Sequence, residues 1–130
     1  MSSLYTDIIQ HAYKYPEHRG SVAGHTHAAE DENPLCGDML RVELRVENGH
    51  IVELAYQGRG CAISQASAEL MCGLLRGSAV DQISAVNRET VLEEMGIPSI
   101  SPARLKCALL SVEVIKQAVT RGKQSGEAGA

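Results

Sequence analysis

A single domain that combines amphipathic helices with an antiparallel hairpin is the architecture this sequence predicts. Three observations carry it. The chain has 130 residues, the length of one domain. Residues 39–57 alternate apolar and charged side chains, as a strand pair with one buried face does. Residues 62–76 and 102–121 repeat apolar side chains at helical spacing.

The elements follow in order. Residues 4–14 form a helix with Leu4, Ile8, Ile9, Ala12 and Tyr13 on its apolar side, closed by Pro16 and Gly20. The stretch 21–38 is looser, and its middle, 22–29, is expected as a short edge strand. In the hairpin, Leu40, Val42, Leu44 and Val46 alternate with Arg41, Glu43, Arg45 and Glu47, and the apolar set resumes at Val52, Leu54 and Tyr56. A two-residue turn at Asn48-Gly49 would set Leu44 opposite the charged Glu53. A three-residue loop, 47–49, pairs Val46 with His50, Leu44 with Val52 and Val42 with Leu54, so it is the expected form.

Gly58-Arg59-Gly60 ends the second strand. A helix over 62–76 carries Ala62, Ala66, Leu70 and Leu74 on one stripe, and Gly77 stops it. Residues 80–95 hold one or two short helices. Ser101-Pro102 opens the last helix with a capping hydroxyl and a first-turn proline. Leu105, Ala108, Leu109, Val112, Ile115 and Val119 sustain it to about Arg121. Residues 1–121 are thus expected as the domain and 122–130 as a flexible tail.

Composition excludes several functions. Twelve basic against 16 acidic residues give a net charge of −4, the wrong sign for tracking a phosphate backbone. With no Phe or Trp and only four Tyr, there are few rings for stacking on bases. No nucleic-acid partner is expected. No apolar run approaches the ~20 residues of a membrane span. The first five residues lack the basic-then-apolar pattern of a signal peptide, so a cytoplasmic location is expected, with cysteines kept as thiols.

The cysteines are Cys36, Cys61, Cys72 and Cys107, with no Cys-x-x-Cys pair of the zinc-ribbon or thioredoxin kind. Three sit at element junctions: Cys36 before the hairpin, Cys61 between strand and helix, and Cys107 near the start of the last helix. Junctions are where side chains from separate elements converge. Asp38 lies two residues from Cys36, with Gly37 between. Three thiolates and a carboxylate would make a four-coordinate site suited to zinc or iron–sulfur chemistry, with the hard oxygen as the replaceable ligand. Cys61 at a helix N-terminus, and Cys107 with Arg104 on its face and Lys106 beside it, have neighbours that favour thiolate. Cys72 is three helical turns from Cys61, too far to share a metal, and reads as core. His25 and His27 form a His-x-His pair that reads as solvated rather than ligating, and His11, His18 and His50 read as surface residues.

At these positions the sequence resembles the IscU/SufU/NifU-type iron–sulfur cluster assembly scaffolds. Asn33-Pro34-Leu35-Cys36-Gly37-Asp38 is similar to the family's first ligand loop. The stretch from Gly58-Arg59-Gly60-Cys61 through Ser67 is similar to the second, and Pro102-Ala103-Arg104-Leu105-Lys106-Cys107 to the third. Leu4, Tyr5, Tyr13, Lys14, Pro16, Arg19 and Gly20 resemble its opening helix and turn. The resemblance spans about residues 4–121.

The resemblance implies an α+β fold: a small antiparallel sheet of about three strands, packed by helices on one face. It implies that Cys36, Asp38, Cys61 and Cys107 surround one site. It also implies a cysteine desulfurase as sulfur donor, a transient [2Fe–2S] cluster as product and apo iron–sulfur proteins as acceptors. Lys106 stands where the IscU branch has His, which is the SufU-like choice and implies the alternative of a Zn2+-dependent sulfurtransferase. Only 45 residues, 62–106, separate Cys61 from Cys107, the compact IscU-like length. Cys36, followed by glycine, is the expected sulfur acceptor. The scaffold is the favoured reading over the enzyme.

Overall fold

The computed structural model describes residues 3–33, 37–97 and 101–129, with side chains for 7–33, 37–97 and 101–120. Its elements are α1 (Ser3–Lys14), β1 (His27–Asn33), β2 (Asp38–Glu47), β3 (His50–Arg59), α2 (Ala62–Leu75), a 3-10 turn (Val80–Ala85), α3 (Arg88–Met95) and α4 (Pro102–Gly129). The strands form one antiparallel sheet in the order β1-β2-β3. Helices pack against it: α4 lies along β1 and β2, α2 sits between β3 and α4, and α1 rests on α2. This is the α+β arrangement expected. No helix among the described residues is long and apolar enough to cross a membrane.

The period of two explains the layers. Leu40, Val42 and Leu44 of β2, with Leu54 and Tyr56 of β3, point into the helix layer and are buried. The opposite face is charged, with Arg41 against Glu30 and Glu43, and Arg45 against Glu47 and Glu53. Residues 18–20 run beside β3 at the sheet edge, and residues 21–26 cross this side. The Val22 N–H donates to Glu43 Oε1 at 2.9 Å, and His18 and Gly20 exchange backbone hydrogen bonds with Tyr56.

The hairpin register differs from the expected one. Glu47 pairs with His50 and Val46 with Ile51, so the turn is the two-residue Asn48-Gly49 form. Both turn residues have positive φ, 53° and 77°, as a type I′ turn requires. The register then shifts between Arg45 and Val46, where Val52 is the extra residue of a β-bulge. Leu44 therefore faces Leu54 and Val42 faces Tyr56. The bulge removes the Leu44–Glu53 mismatch that had favoured a longer loop. The edge strand also lies further along than expected, at His27–Asn33 instead of 22–29, since its register is set by pairing with β2.

Helix ends follow local chemistry. Asn87 caps α3 in a reciprocal capping box with Thr90, and Gly96 closes it in the left-handed region. Ser101 caps α4 through its hydroxyl, which accepts the Arg104 N–H at 3.4 Å. The last helix runs on past Arg121 to Gly129: Gly122 and Gly126 weaken a helix without ending it.

Candidate metal centre

Three separate elements meet at one end of the sheet. Asp38 opens β2, and its even position turns its side chain to the helix layer, where it is 1% exposed. Cys61 is the N-cap of α2. Cys107 lies in the second turn of α4, buried and in contact with the apolar core. One carboxylate oxygen of Asp38 and the sulfurs of Cys61 and Cys107 all lie within 4.8 Å of one another.

The strand-to-helix turn explains the meeting. Gly60 has φ +133°, and a Cβ there would collide with the Asp38 carboxylate. Gly58 has no room either: a Cβ would strike the Met39 carbonyl and the Leu40 side chain. Both glycines therefore let β3 close over β2 where Asp38 enters. Asp38 Oδ1 then accepts the Cys61 N–H at 2.9 Å, while Cys61 Sγ–H donates to Oδ2 at 3.4 Å. Helix α2 has no side-chain cap of its own and no acidic residue in its first turn. A carboxylate from a neighbouring strand supplies the negative charge that a helix N-terminus favours.

A second device fixes α2 against α4. Ser67 Oγ donates to the Ala108 carbonyl at 2.6 Å and meets Ser111 Oγ at 2.8 Å, all fully buried. Ala66 and Ala108, both fully buried, keep the two helices close. This seam lies beside Cys107 and sets how near the two thiols stand. Sequence reasoning missed it, although the small residues at 62, 66, 67 and 68 were its visible signal.

The other candidates are elsewhere. Cys36 lies outside the described residues; the connection that carries it is closed by the Gly37 N–H on the Asn33 carbonyl at 2.8 Å, and Asn33 pairs directly with Asp38. Lys106 is exposed and lines a shallow cleft with Glu32, Asn33 and Glu113. His27 pairs with Leu44, six strand residues from Asn33, which puts it about 20 Å from the site. His25 stands 3.6 Å from Glu43 on the charged face of the sheet. Neither histidine belongs to the ligand group. His18, read as a surface residue, is instead half-buried and pairs with Glu69 at 2.7 Å. Cys72 is fully buried, and burial, with the nearby Glu69 charge, pushes its thiol well up from the usual range. None of the three described cysteines forms a disulfide.

Two thiols and a carboxylate this close are a donor set for zinc or an iron–sulfur cluster. Sulfurs around a zinc stand about 3.8 Å apart, so closure on an ion needs movements of an ångström or less. The set leaves one coordination position for a further ligand, and Cys36 is two residues from Asp38.

The chain matches the family model described as NifU-like N terminal domain over residues 4–126. It is 26% identical to the zinc-dependent sulfurtransferase SufU of Bacillus subtilis, covering 93% of this chain and 92% of that protein. It is 29% identical to the iron–sulfur cluster assembly scaffold protein IscU of Thermotoga maritima, covering 91% and 94%. Among solved structures, the N-terminal part of a NifU-like protein from Brucella abortus shares the fold, with a TM-score of 0.75 at 19% identity over 95% of this chain and 96% of that one. FiSufU from Fervidobacterium islandicum does so at 0.73 and 22% identity, over 91% and 98%.

Proposed function

Because the chain belongs to the NifU-like N-terminal domain family, we propose that it is an iron–sulfur cluster assembly scaffold. It receives sulfur from a cysteine desulfurase, builds a transient [2Fe–2S] cluster and passes it to apo acceptor proteins. The observation that supports this reading is the convergence of Asp38, Cys61 and Cys107 within 4.8 Å.

Each residue has a distinct part in this reading. Cys61 and Cys107 hold the cargo through sulfur, and Cys36 is the proposed fourth ligand and first sulfur acceptor. Its thiolate attacks the outer sulfur of the donor's persulfide, the donor cysteine leaves as thiolate, and an external thiol reductant supplies the two electrons that release the outer sulfur as cluster sulfide. Asp38 is the hard ligand in a soft site, so it is the bond that opens when cargo leaves. The chemistry needs reduced thiols, which makes the cytoplasm the proposed compartment.

The second reading is a zinc-dependent sulfurtransferase, favoured by Lys106 before Cys107 and by the similarity to a SufU. Asp38, Cys36, Cys61 and Cys107 would then hold Zn2+, which keeps the thiols deprotonated and protected. One experiment separates the two. Zinc-free protein is mixed anaerobically with iron, cysteine, a thiol reductant and a cysteine desulfurase, and the visible spectrum and bound iron and sulfide are recorded. A chromophore with about equal iron and sulfide, transferable to an apo-ferredoxin, is the expected result. No chromophore, with zinc-dependent stimulation of the desulfurase, establishes the sulfurtransferase instead.

A further inference from the structure

A trough of about 560 Å3 runs between α1 and α2, well away from the metal centre. Ile8, Ala12 and Tyr15 form one wall, and Leu70, Gly73 and Leu74 the other. The spacing is helical on both sides, so the trough runs as a strip between two rods. Tyr15 and Leu74 are two of the three large hydrophobic side chains that stand exposed among the described residues. Contiguous exposed apolar surface of this kind marks an interaction site.

Gly73 is the informative position. Glycine inside a helix is destabilising relative to alanine. Here no backbone conformation or close contact demands it. A Cβ would meet only the His18 ring, at an ordinary 3.7 Å. What its missing side chain leaves is open space on the wall of the trough.

The charges around the trough have one sign. Asp7, Glu17 and Glu94 line it, and no Lys or Arg does. None of the ion pairs between described residues uses these three carboxylates. Glu69 is already engaged, with Oε2 on His18 Nδ1 at 2.7 Å and Oε1 accepting the His18 N–H at 2.9 Å. Only His11 and His18 bring possible positive charge.

We propose that this trough docks a basic amphipathic helix of a partner protein. The partner's apolar stripe lies against Tyr15, Leu70 and Leu74, and its Lys or Arg side chains face Asp7, Glu17 and Glu94. Helix-in-groove recognition reads in this way, and charge complementarity fixes its orientation. An anionic membrane surface is repelled by the same carboxylates. Gly73 lies twelve residues beyond Cys61 on α2, about 18 Å along the helix, so a docked partner leaves the ligand residues uncovered.

The test uses the full chain and a labelled peptide of about 16 residues with Leu on one helical face and Lys on the other. A Leu/Glu peptide of the same pattern is the control. Fluorescence anisotropy measures affinity and amide chemical shifts locate the site. The Leu/Lys peptide is expected to shift α1 and α2 amides and to bind at least about tenfold more tightly than the control. Gly73→Leu, which fills the trough, and the double variant Asp7→Lys/Glu94→Lys are each expected to weaken it by about tenfold or more. Leu74→Ser serves as a second variant should Gly73→Leu fail to fold. Equal binding of both peptides, shifts confined to other surfaces, or unchanged affinity in correctly folded variants overturns the proposal. So does a dimer of the chain that buries the trough and excludes the peptide.

Discussion

Asp38 and Cys61 meet twice: one carboxylate oxygen takes the cysteine's backbone N–H at 2.9 Å, and the other faces its sulfur at 3.4 Å. The first contact is independent of what the thiol is doing. The second exists only while the sulfur carries its proton, and is lost when the thiolate binds a metal or cluster. Asp38 therefore has a resting partner at the end of α2 whether or not it ligates. A carboxylate with such an alternative leaves a metal at low cost.

Asp38→Ala removes the carboxylate proposed as the leaving ligand. Under the scaffold reading, a reconstituted cluster persists longer on the variant and moves to apo-ferredoxin several-fold more slowly, followed by visible absorbance and circular dichroism. Transfer at the wild-type rate would count against the part given to Asp38.

Gly60→Ala and Gly37→Ala make a controlled pair. Both glycines have positive φ, yet a Cβ at 37 meets open space while one at 60 enters the Asp38 carboxylate. Urea denaturation is expected to show a loss of about 1 kcal/mol for Gly37→Ala and at least ~2 kcal/mol for Gly60→Ala. Similar losses in both would mean that neither the approach to Asp38 nor the wider φ of +133° at position 60 adds a cost beyond the left-handed strain at position 37.

Acid should weaken the sheet through Glu43. Burial works against its ionisation, but the Val22 N–H, the Arg41 guanidinium and the His25 charge outweigh burial and hold it below its ordinary value of 4.5. A group whose folded pKa is depressed contributes fully above its unfolded pKa, and that contribution is lost as pH falls through the folded value. Between roughly pH 5 and pH 3, wild type is expected to lose more stability than Glu43→Gln. Thermal melts across that range check it, and parallel curves for the two proteins would refute it.

The thiols should separate by reactivity. Cys61 is exposed, whereas Cys72 is buried with its thiol pushed up by desolvation and the Glu69 charge. Iodoacetamide on the native protein, read by mass spectrometry, is expected to label Cys61 at least ~100-fold faster than Cys72. Zinc should slow labelling of Cys61 and leave Cys72 unchanged.

Alternation in 40–46 and the helical stripes were legible because each reports burial of one face, and they placed the hairpin, α2 and α4. The junction cysteines were legible for a related reason: glycines at 58 and 60 and the proline at 102 mark where elements change. The register was not, because a bulge at Val52 adds one residue without any local signature. Nor was the Ser67–Ala108–Ser111 seam, since a buried serine reads in sequence like an exposed one. The contact between Gly60 and Asp38 depends on how far β3 runs beside β2, a distance that spacing along the chain does not encode.

The candidate ligand atoms come from the first residue of a strand, the cap of one helix and the second turn of another, and one of them, on Cys107, is embedded in the apolar core. An unfolded or partly assembled chain has the same thiols but cannot bring them together. Binding of metal or cluster thus draws only on correctly assembled molecules, and each bound equivalent deepens the native basin by mass action. Occupancy doubles as an inspection stamp: a molecule that carries cargo has, by that fact, passed its own folding test.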